Sequence, residues 1–391
     1  MEPLTHLMTG ACLARAGFNR KAAYATAAMV IGAEAPDLDT LWSIDGPVAA
    51  FQHHRGWTHT FLGIPIEAAL LVAAFWVFHR WRNRRNQPAR TSPGPARHPR
   101  RAPVPVRWSL LFVFSIIALL SHLLLDWTNN YGIRPFFPFN AHWYAGSFVF
   151  IFEPVLFLIL LVALVAPSLF GLINSEVGAR KPAFRGQNWA IFGLLAMLSL
   201  WTWRFVEHTK AMQLAQSNLQ LALSSSNSTA ASTPPAGASR DADPTPAPVP
   251  NLAAATILRT TANPYPANPY RWHTVVETPA FYQIATVNTL TGAITTGAQA
   301  GVLYKPPTTL ATLAAKRTWL GEIYLDWSQW PLVRETGTGD DGLTTVSFTD
   351  LRFLYDIPLL TSRKDPPLSG TVTLNADRHT VRMQMDGRIQ H

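Results

Sequence analysis

The chain has 391 residues and a formal net charge of +9, with 48% hydrophobic but only 14% charged residues. Soluble domains carry about 25% charged residues, and the long apolar runs all precede residue 210. The composition therefore excludes a purely cytosolic enzyme, a secreted disulfide scaffold and a disordered protein, and the single cysteine, Cys12, cannot form an internal disulfide.

Six apolar segments come before residue 210. In chain order they are Leu4–Ala16, Lys21–Ala35, Phe61–Phe78, Trp108–Asp126, Val149–Phe170 and Trp189–Val206. The last four run about 18–22 residues each, which is the length needed to cross a hydrocarbon core of about 30 Å. The first two are shorter and rich in small residues, so we expect them to pack against the others or to insert partly.

Basic residues predict how these segments are oriented. Nine arginines and no acidic residue lie between His79 and Arg107, between two apolar segments. A nucleic-acid patch is one interpretation of such a run, but its position favours a cytoplasmic anchor under the positive-inside rule. Further basic clusters around Arg20 and Arg180 then fall on the same side, which places both chain termini outside the cytoplasm.

The sequence changes character after the last apolar segment. His208–Leu223 is predicted to continue the sixth helix, and Ser224–Pro250, rich in Ser, Thr, Ala and Pro, to be an extended linker. Beyond it, short β-branched and aromatic runs alternate with turn residues. The elements predicted there are the strands Trp272–Val276, Tyr282–Asn288, Thr344–Phe348 and Gly370–Leu374, and a helix at Leu310–Trp319.

The predicted fold is therefore an α-helical polytopic membrane domain followed by a small β-rich or α+β extracytoplasmic domain. The membrane domain covers residues 1–210, with four clear and two short apolar helices. Residues 211–250 form the helix extension and linker, and residues 251–391 form the C-terminal domain. Within that domain we expect Asp350 and Arg352 to form a structural ion pair.

Histidines and aspartates scattered over the first 126 residues fall on one predicted face of the membrane. The topology rests on the arginines alone, so this convergence is independent of it. Ionisable residues in apolar helices cost about 2–3 kcal/mol or more and are usually functional. The candidate metal ligands are His6, Asp37, His54, His59, His122 and Asp126.

The local spacing of these residues favours a metal site. His122 and Asp126 are four residues apart, so they share one helix face. Asp37 and Asp39 follow Pro36, which ends a helix, although such a motif alone is also typical of a turn. Nitrogen and carboxylate ligands without cysteine favour Zn²⁺, with Mn²⁺ or Fe²⁺ as alternatives.

Two neighbouring residues are candidates for the chemistry. Asp39 is expected to act as a general base or to orient a ligand. Arg55 is expected either to pair with Asp37 or Asp39 or to hold a phosphate with both arms of its guanidinium. An ion with an open coordination position activates water at neutral pH.

These residues resemble the motifs of the YdjM-like family of membrane-bound, metal-dependent hydrolases of bacterial inner membranes. The family shows an early His, a D-x-D after the second helix, an H-R-x-x-T-H stretch and an H-x-x-x-D on a later apolar helix. The matching residues here are His6, Asp37-Leu38-Asp39, His54-Arg55-Gly56-Trp57-Thr58-His59 and His122 with Asp126. The resemblance covers about residues 1–210, and Ser347–Phe353 resembles an extension of longer members. It implies metal binding and, through the likeness of the metal motifs to zinc-dependent phospholipases C, hydrolysis.

The sequence thus predicts a metal-dependent hydrolase with its site at the outer face of the inner membrane. Its substrate would be a phosphoester, of a phospholipid or another amphiphile, that approaches from the membrane lipids beside the apolar loop Arg134–Phe139. The alternative is a non-catalytic membrane scaffold or envelope-stress protein whose metal fixes the helix ends and whose C-terminal domain binds a partner. A transporter is disfavoured because its ionisable residues would lie near the bilayer midplane. The oligomeric state is left open.

Overall fold

The computed structural model describes residues 1–85, 104–176, 186–230, 256–296, 301–339, 342–357 and 365–390. The chain divides into two compact units, Met1–Trp203 with Ile389–His391, and Arg204–Arg388. The arginine-rich loop is described only up to residue 85 and from residue 104, and the cluster around Arg180 lies outside the described residues.

The first unit is helical. Its α-helices are α1 (Pro3–Arg15), α2 (Ala25–Gly32), α3 (Pro47–His53), α4 (Gly63–Arg85), α5 (Trp108–Thr128), α6 (Pro154–Glu176) and α7 (Gln187–Ala230), the last of which ends in the second unit. Two 3₁₀ helices, Ala35–Asp45 and Trp57–His59, flank α3. Small residues let α1 and α2 approach closely, since a Cβ at Gly10 would overlap the carbonyl oxygen of Met29.

Among the residues that the structure describes, three helices are long and apolar enough to cross a membrane, namely Gly63–Arg85, Trp108–Thr128 and Gln187–Gln220. A shorter apolar helix covers Pro154–Phe170. These four correspond to the long predicted segments. The helix predicted from Val149 begins later because Pro154 occupies its first position and the preceding residues are not helical. The predicted extension His208–Leu223 is helical, and α7 continues to Ala230. The rest of the predicted linker, 231–250, lies outside the described residues.

The second unit contains two antiparallel five-stranded sheets. One has the order β1-β2-β3-β4 with β5 also paired to β3, and the other has the order β10-β9-β8-β7-β6. The strands are β1 (Arg259–Pro264), β2 (Arg271–Glu277), β3 (Phe281–Asn288), β4 (Ile294–Thr295), β5 (Val302–Tyr304), β6 (Pro331–Thr338), β7 (Thr344–Asp350), β8 (Gly370–Leu374), β9 (Thr380–Met385) and β10 (Arg388–Ile389). The predicted β-rich region is confirmed.

Two short helices lie between the sheets in the sequence, where one was predicted. They are α8 (Leu310–Lys316) and α9 (Trp319–Trp327), separated because Thr318 caps α9 by accepting a hydrogen bond from the backbone of Gly321. Tyr324 of α9 packs on Phe348 of β7 with ring centroids 5.6 Å apart. The expected ion pair is confirmed, with Arg352 Nη2 2.8 Å from Asp350 Oδ2 and both side chains buried.

Candidate metal site

Four elements of the first unit bring five of the six predicted ligands together. The 3₁₀ helix Ala35–Asp45 carries Asp37 and Asp39 just after α2, because Pro36 starts a new turn there. His54 follows the end of α3, and His59 ends the short 3₁₀ helix Trp57–His59. His122 and Asp126 lie one helical turn apart in the last turns of α5.

Asp37, His59, His122 and Asp126 form what we call the buried donor group. One ligand atom from each lies within 4.8 Å of all the others. His59 Nε2 is 3.1 Å from His122 Nε2, 3.3 Å from Asp37 Oδ1 and 3.3 Å from Asp126 Oδ2. His122 Nε2 is 3.6 Å from Asp37 Oδ1 and 3.5 Å from Asp126 Oδ2.

These separations match a tetrahedral cation site. With metal–ligand bonds of about 2.0–2.1 Å, the edges of a tetrahedron measure about 3.4 Å, and the five measured edges run from 3.1 to 3.6 Å. Two imidazole nitrogens and two carboxylate oxygens are a donor set that zinc and related divalent ions accept. The residues therefore fit a divalent cation.

The second nitrogen of each ligand histidine is held by a neighbour. His122 Nδ1 donates to the carbonyl oxygen of Ala33 at 2.7 Å, which leaves the lone pair on Nε2. His59 Nδ1 lies 3.0 Å from Thr58 Oγ1 and 3.4 Å from Asp39 Oδ2. Such outer partners fix the tautomer and orientation of metal-binding histidines, so both Nε2 atoms face the same point.

Asp37, Asp39 and His54 form a second set, which we call the outer donor group. Asp37 belongs to both groups. The His54 side chain is 28% exposed and that of Asp37 14% exposed, whereas His59, His122 and Asp126 are fully buried. The outer donor group is therefore the more solvent-exposed of the two, and the buried donor group lies behind it.

Arg55 lies beside both groups in a left-handed backbone conformation, with φ of +55°. Its backbone N–H donates to Asp39 Oδ2 at 2.7 Å, and its Nη2 lies 2.8 Å from Asp126 Oδ1. Nη1 donates to the carbonyl oxygen of Gly132 at 2.8 Å, and the guanidinium stacks over Tyr131. Strained backbone of this kind is characteristic of functional sites. The side chain thus pairs with Asp126 rather than with the two predicted aspartates.

His6 reaches the same centre from α1. It is fully buried, its ring stacks on His122 with centroids 3.8 Å apart, and its Nε2 is 3.4 Å from Asp126 Oδ1. No hydrogen bond from the described residues reaches either of its ring nitrogens. A buried imidazole without hydrogen bonds needs an explanation, and a cation beside it would supply one. The amino group of Met1 also contacts Asp126.

Three acidic groups at the site, all outside the spanning helices, have shifted pKa values. Burial acts to raise the pKa of Asp37, but the neighbouring imidazoles of His122 and His59 outweigh it and lower that pKa below its ordinary value. The pKa of Asp39 is lowered in the same way, against burial, chiefly by the hydrogen bond from His54. Burial raises the pKa of Glu34 to about 7, and the negative charge of Asp37 adds to the effect.

An apolar rim, defined here as Leu38, Trp42, Trp57, Phe61 and Phe136, is carried by segments next to the donor groups. All five side chains are at least 45% exposed. The loop Arg134–Phe139 packs against the segment around His59, since Phe136 contacts Phe61 with ring centroids 5.4 Å apart. The donor groups are therefore flanked by exposed aromatic and aliphatic side chains.

Sequence reasoning missed several residues that support the site. Thr58, the carbonyl of Ala33, and Gly132 each contact a ligand or Arg55. Thr58 could have been found from its place directly before His59 in the histidine motif. The other two act through backbone atoms, which carry no residue-specific signal.

A helical domain with membrane-length apolar helices and a buried histidine–aspartate cluster defines a membrane protein with a candidate metal centre. The model of the YdjM inner membrane protein family matches residues 1–211, so the chain belongs to this family and the resemblance is confirmed. A curated relative, the uncharacterized protein YfhP of Bacillus subtilis (strain 168), is 22% identical over 137 residues, and the match covers 35% of each chain. No solved structure gives a significant match.

Proposed function

We propose that this protein is a metal-dependent hydrolase of the inner membrane that cleaves a phosphoester of a phospholipid or a similar amphiphile at the outer face. The observation that carries the proposal is the buried donor group, in which four side chains from three elements come within 4.8 Å of one another. Zn²⁺ is the proposed ion, with Mn²⁺ and Fe²⁺ as alternatives, because the donors are nitrogen and oxygen without sulfur.

The chain's own residues would hold and orient this centre. Asp37, His59, His122 and Asp126 would bind the ion, with His6 beside them. A bound divalent ion polarises a phosphoryl oxygen and makes water a better nucleophile at neutral pH. In the hydrolysis, the water oxygen joins phosphorus, the ester P–O bond breaks, and a proton from water passes to the leaving oxygen.

Asp39 and Arg55 are assigned positioning roles from their contacts. Asp39 Oδ2 faces His59 Nδ1 and would keep that ring turned to the centre. Arg55 holds Asp126 and offsets part of its buried negative charge. A direct contact between Arg55 and a phosphoryl group would require its Nη atoms to leave Asp126 and Gly132.

The apolar rim supports an amphiphilic substrate. Exposed Trp side chains favour the boundary between lipid and water, and exposed apolar surface marks membrane or ligand contacts. A phosphoester at the headgroup level of a lipid would meet the outer donor group beside this rim. A small soluble phosphoester would gain nothing from it.

The scaffold alternative has one observation in its favour. Four protein donors, as in the buried donor group, close a tetrahedral site, and closed sites are typical of structural zinc. In that case the ion would fix the helix ends, and the C-terminal unit would bind a partner.

Metal content and turnover separate the two. The full chain, purified in detergent with a tag free of histidine, would be assayed for headgroup release from phospholipid micelles with Zn²⁺ or Mn²⁺. We expect His122→Ala to lose metal and turnover, and His142→Ala, at an exposed histidine, to keep both. Metal without turnover on any phospholipid would favour the scaffold. Unchanged metal content in His122→Ala and Asp126→Ala would contradict the metal centre itself.

A further inference from the structure

We infer that the outer donor group holds a second divalent cation, bridged to the first by Asp37, and that this second ion provides the open coordination position. The inference rests on the proposed function and deepens it, because it assigns separate tasks to two neighbouring cation positions. It draws on four features of the site: the number of protein donors, the orientation of Asp39, the membership of Asp37 in both donor groups, and the exposure of His54.

The number of donors distinguishes the two positions. The buried donor group offers four protein ligands, which fill a tetrahedral shell, whereas a catalytic ion keeps three protein ligands and an open position. The outer donor group offers three, namely Asp37, Asp39 and His54, all within 4.8 Å of one another. The outer donor group therefore has the three protein ligands that are typical of a catalytic ion, whereas the buried donor group has four.

The carboxylate of Asp39 is turned toward this second position. Its Oδ2 accepts hydrogen bonds from the backbone of Arg55 at 2.7 Å and from Thr58 Oγ1 at 3.3 Å, and it faces His59. These contacts fix one oxygen, and the other, Oδ1, lies 3.2 Å from His54 Nδ1. That separation is close to the tetrahedral edge of about 3.4 Å expected of two ligands on one zinc-sized ion.

Asp37 is the only residue that belongs to both donor groups among the residues that the structure describes. A carboxylate has two oxygens and can bind one ion with each. Paired metal sites in hydrolytic enzymes hold their ions roughly 3.5–4 Å apart and clamp the attacking and leaving oxygens between them. If Asp37 bound one ion with each of its oxygens, the two cation positions would lie close together, as in these enzymes.

Accessibility assigns the open position to the outer ion. The His54 side chain is 28% exposed, whereas the histidines of the buried donor group are fully buried. A phosphoester arriving from the surface would therefore reach the outer ion first. With fewer protein ligands and more solvent, the outer ion is also expected to exchange faster.

The neighbouring His53 provides a matched control. It precedes His54 directly, but it belongs to neither donor group and its ring stacks on Trp42 with centroids 4.0 Å apart. His53→Ala and His54→Ala remove the same imidazole from adjacent positions. Only the second removes a proposed ligand.

The test is the metal stoichiometry of the full chain, purified in detergent without a histidine tag and saturated with Zn²⁺ or Mn²⁺ before removal of free ions. Elemental analysis should give two ions per chain for the unmodified protein and for His53→Ala, and one for His54→Ala. One ion per chain in all three proteins would overturn the second site. Two ions retained in His54→Ala would overturn its location.

A spectroscopic measurement keeps the test independent of how well a variant folds. Two Mn²⁺ ions that share a carboxylate are magnetically coupled, so the unmodified protein loaded with Mn²⁺ should give the electron paramagnetic resonance spectrum of a coupled pair. A spectrum of isolated ions would overturn the shared Asp37. One ion per chain that is lost in His122→Ala would leave the proposed function standing, whereas no bound ion at all would remove both proposals.

Discussion

Replacing Arg55 with methionine tests how the buried negative charge of the site is balanced. The guanidinium is 4% exposed, and its Nη2 lies 2.8 Å from Asp126 Oδ1. Unit charges at that separation attract by about 6 kcal/mol at an effective dielectric constant of about 20. After relaxation, removing one partner of such a buried pair costs about 3–5 kcal/mol, because the other charge stays buried without that partner.

For a unit of this size, such a loss corresponds to about 6–20 °C in the unfolding midpoint. We expect Arg55→Met to show this decrease when thermal unfolding of the detergent-solubilised chain is followed in a chelator. The decrease should be smaller in saturating Zn²⁺, because a cation beside Asp126 would replace the missing positive charge.

Arg15 provides the control for this experiment. Its Nη1 donates to the carbonyl oxygen of Leu164 at 2.6 Å, so Arg15→Met removes a charged hydrogen bond worth about 1.5–3 kcal/mol and should respond equally with and without metal. An Arg55→Met protein no less stable than Arg15→Met would contradict this charge balance. An equal effect of Arg55→Met in chelator and in Zn²⁺ would contradict it as well.

Three further predictions concern packing and charge away from the cation positions. Gly10→Ala should destabilise the first unit by about 1–3 kcal/mol, because the new methyl group would overlap the backbone of Met29; thermal unfolding in detergent would measure this. Arg352→Met should cost about 3–5 kcal/mol in the second unit, because it leaves the buried carboxylate of Asp350 unpaired; hydrogen exchange of β7 and β8 would report it, and unchanged exchange would contradict it. Burial lowers the pKa of His273 from 6.5 to about 4, so the unfolded chain binds a proton that the folded chain does not. Stability should therefore be complete above about pH 6.5 and fall by up to about 3 kcal/mol as the pH approaches 4, with a flatter profile in His273→Gln.

The helices of the first unit and the composition of its site could be predicted because both leave strong local signals. A membrane-length apolar run such as Trp108–Asp126 has few alternatives to a helix, and ionisable residues within it are costly enough to indicate function. The four-residue spacing of His122 and Asp126 then fixes their common face. The spacing of residues in the sequence does not show which side chains contact each other. The ion pair between Arg55 and Asp126 is therefore seen only in the structure.

The second unit was harder to predict because some of its strands lack a hydrophobic pattern. Residues of β1 (Arg259–Pro264) are mostly polar and end in proline, and β9 (Thr380–Met385) is largely exposed, so neither shows the alternation of a half-buried strand. Strand pairing with a neighbour, rather than a hydrophobic pattern in the sequence, defines them. The break between α8 and α9 was missed for a related reason, because it depends on a cap at Thr318 and leaves the apolar spacing intact.

The hydrogen bond between Ala33 and His122 constrains how this family can vary in length. The carbonyl group of Ala33, which accepts this hydrogen bond, lies one residue after the end of α2. Its direction therefore depends on how many residues that helix contains. Adding or deleting one residue within Ala25–Gly32 would rotate it by about 100° and turn it away from the ring. Exchange of side chains at the exposed positions of α2, such as Thr26 and Ile31, should therefore be common among relatives, whereas gaps in their alignment should avoid the helix.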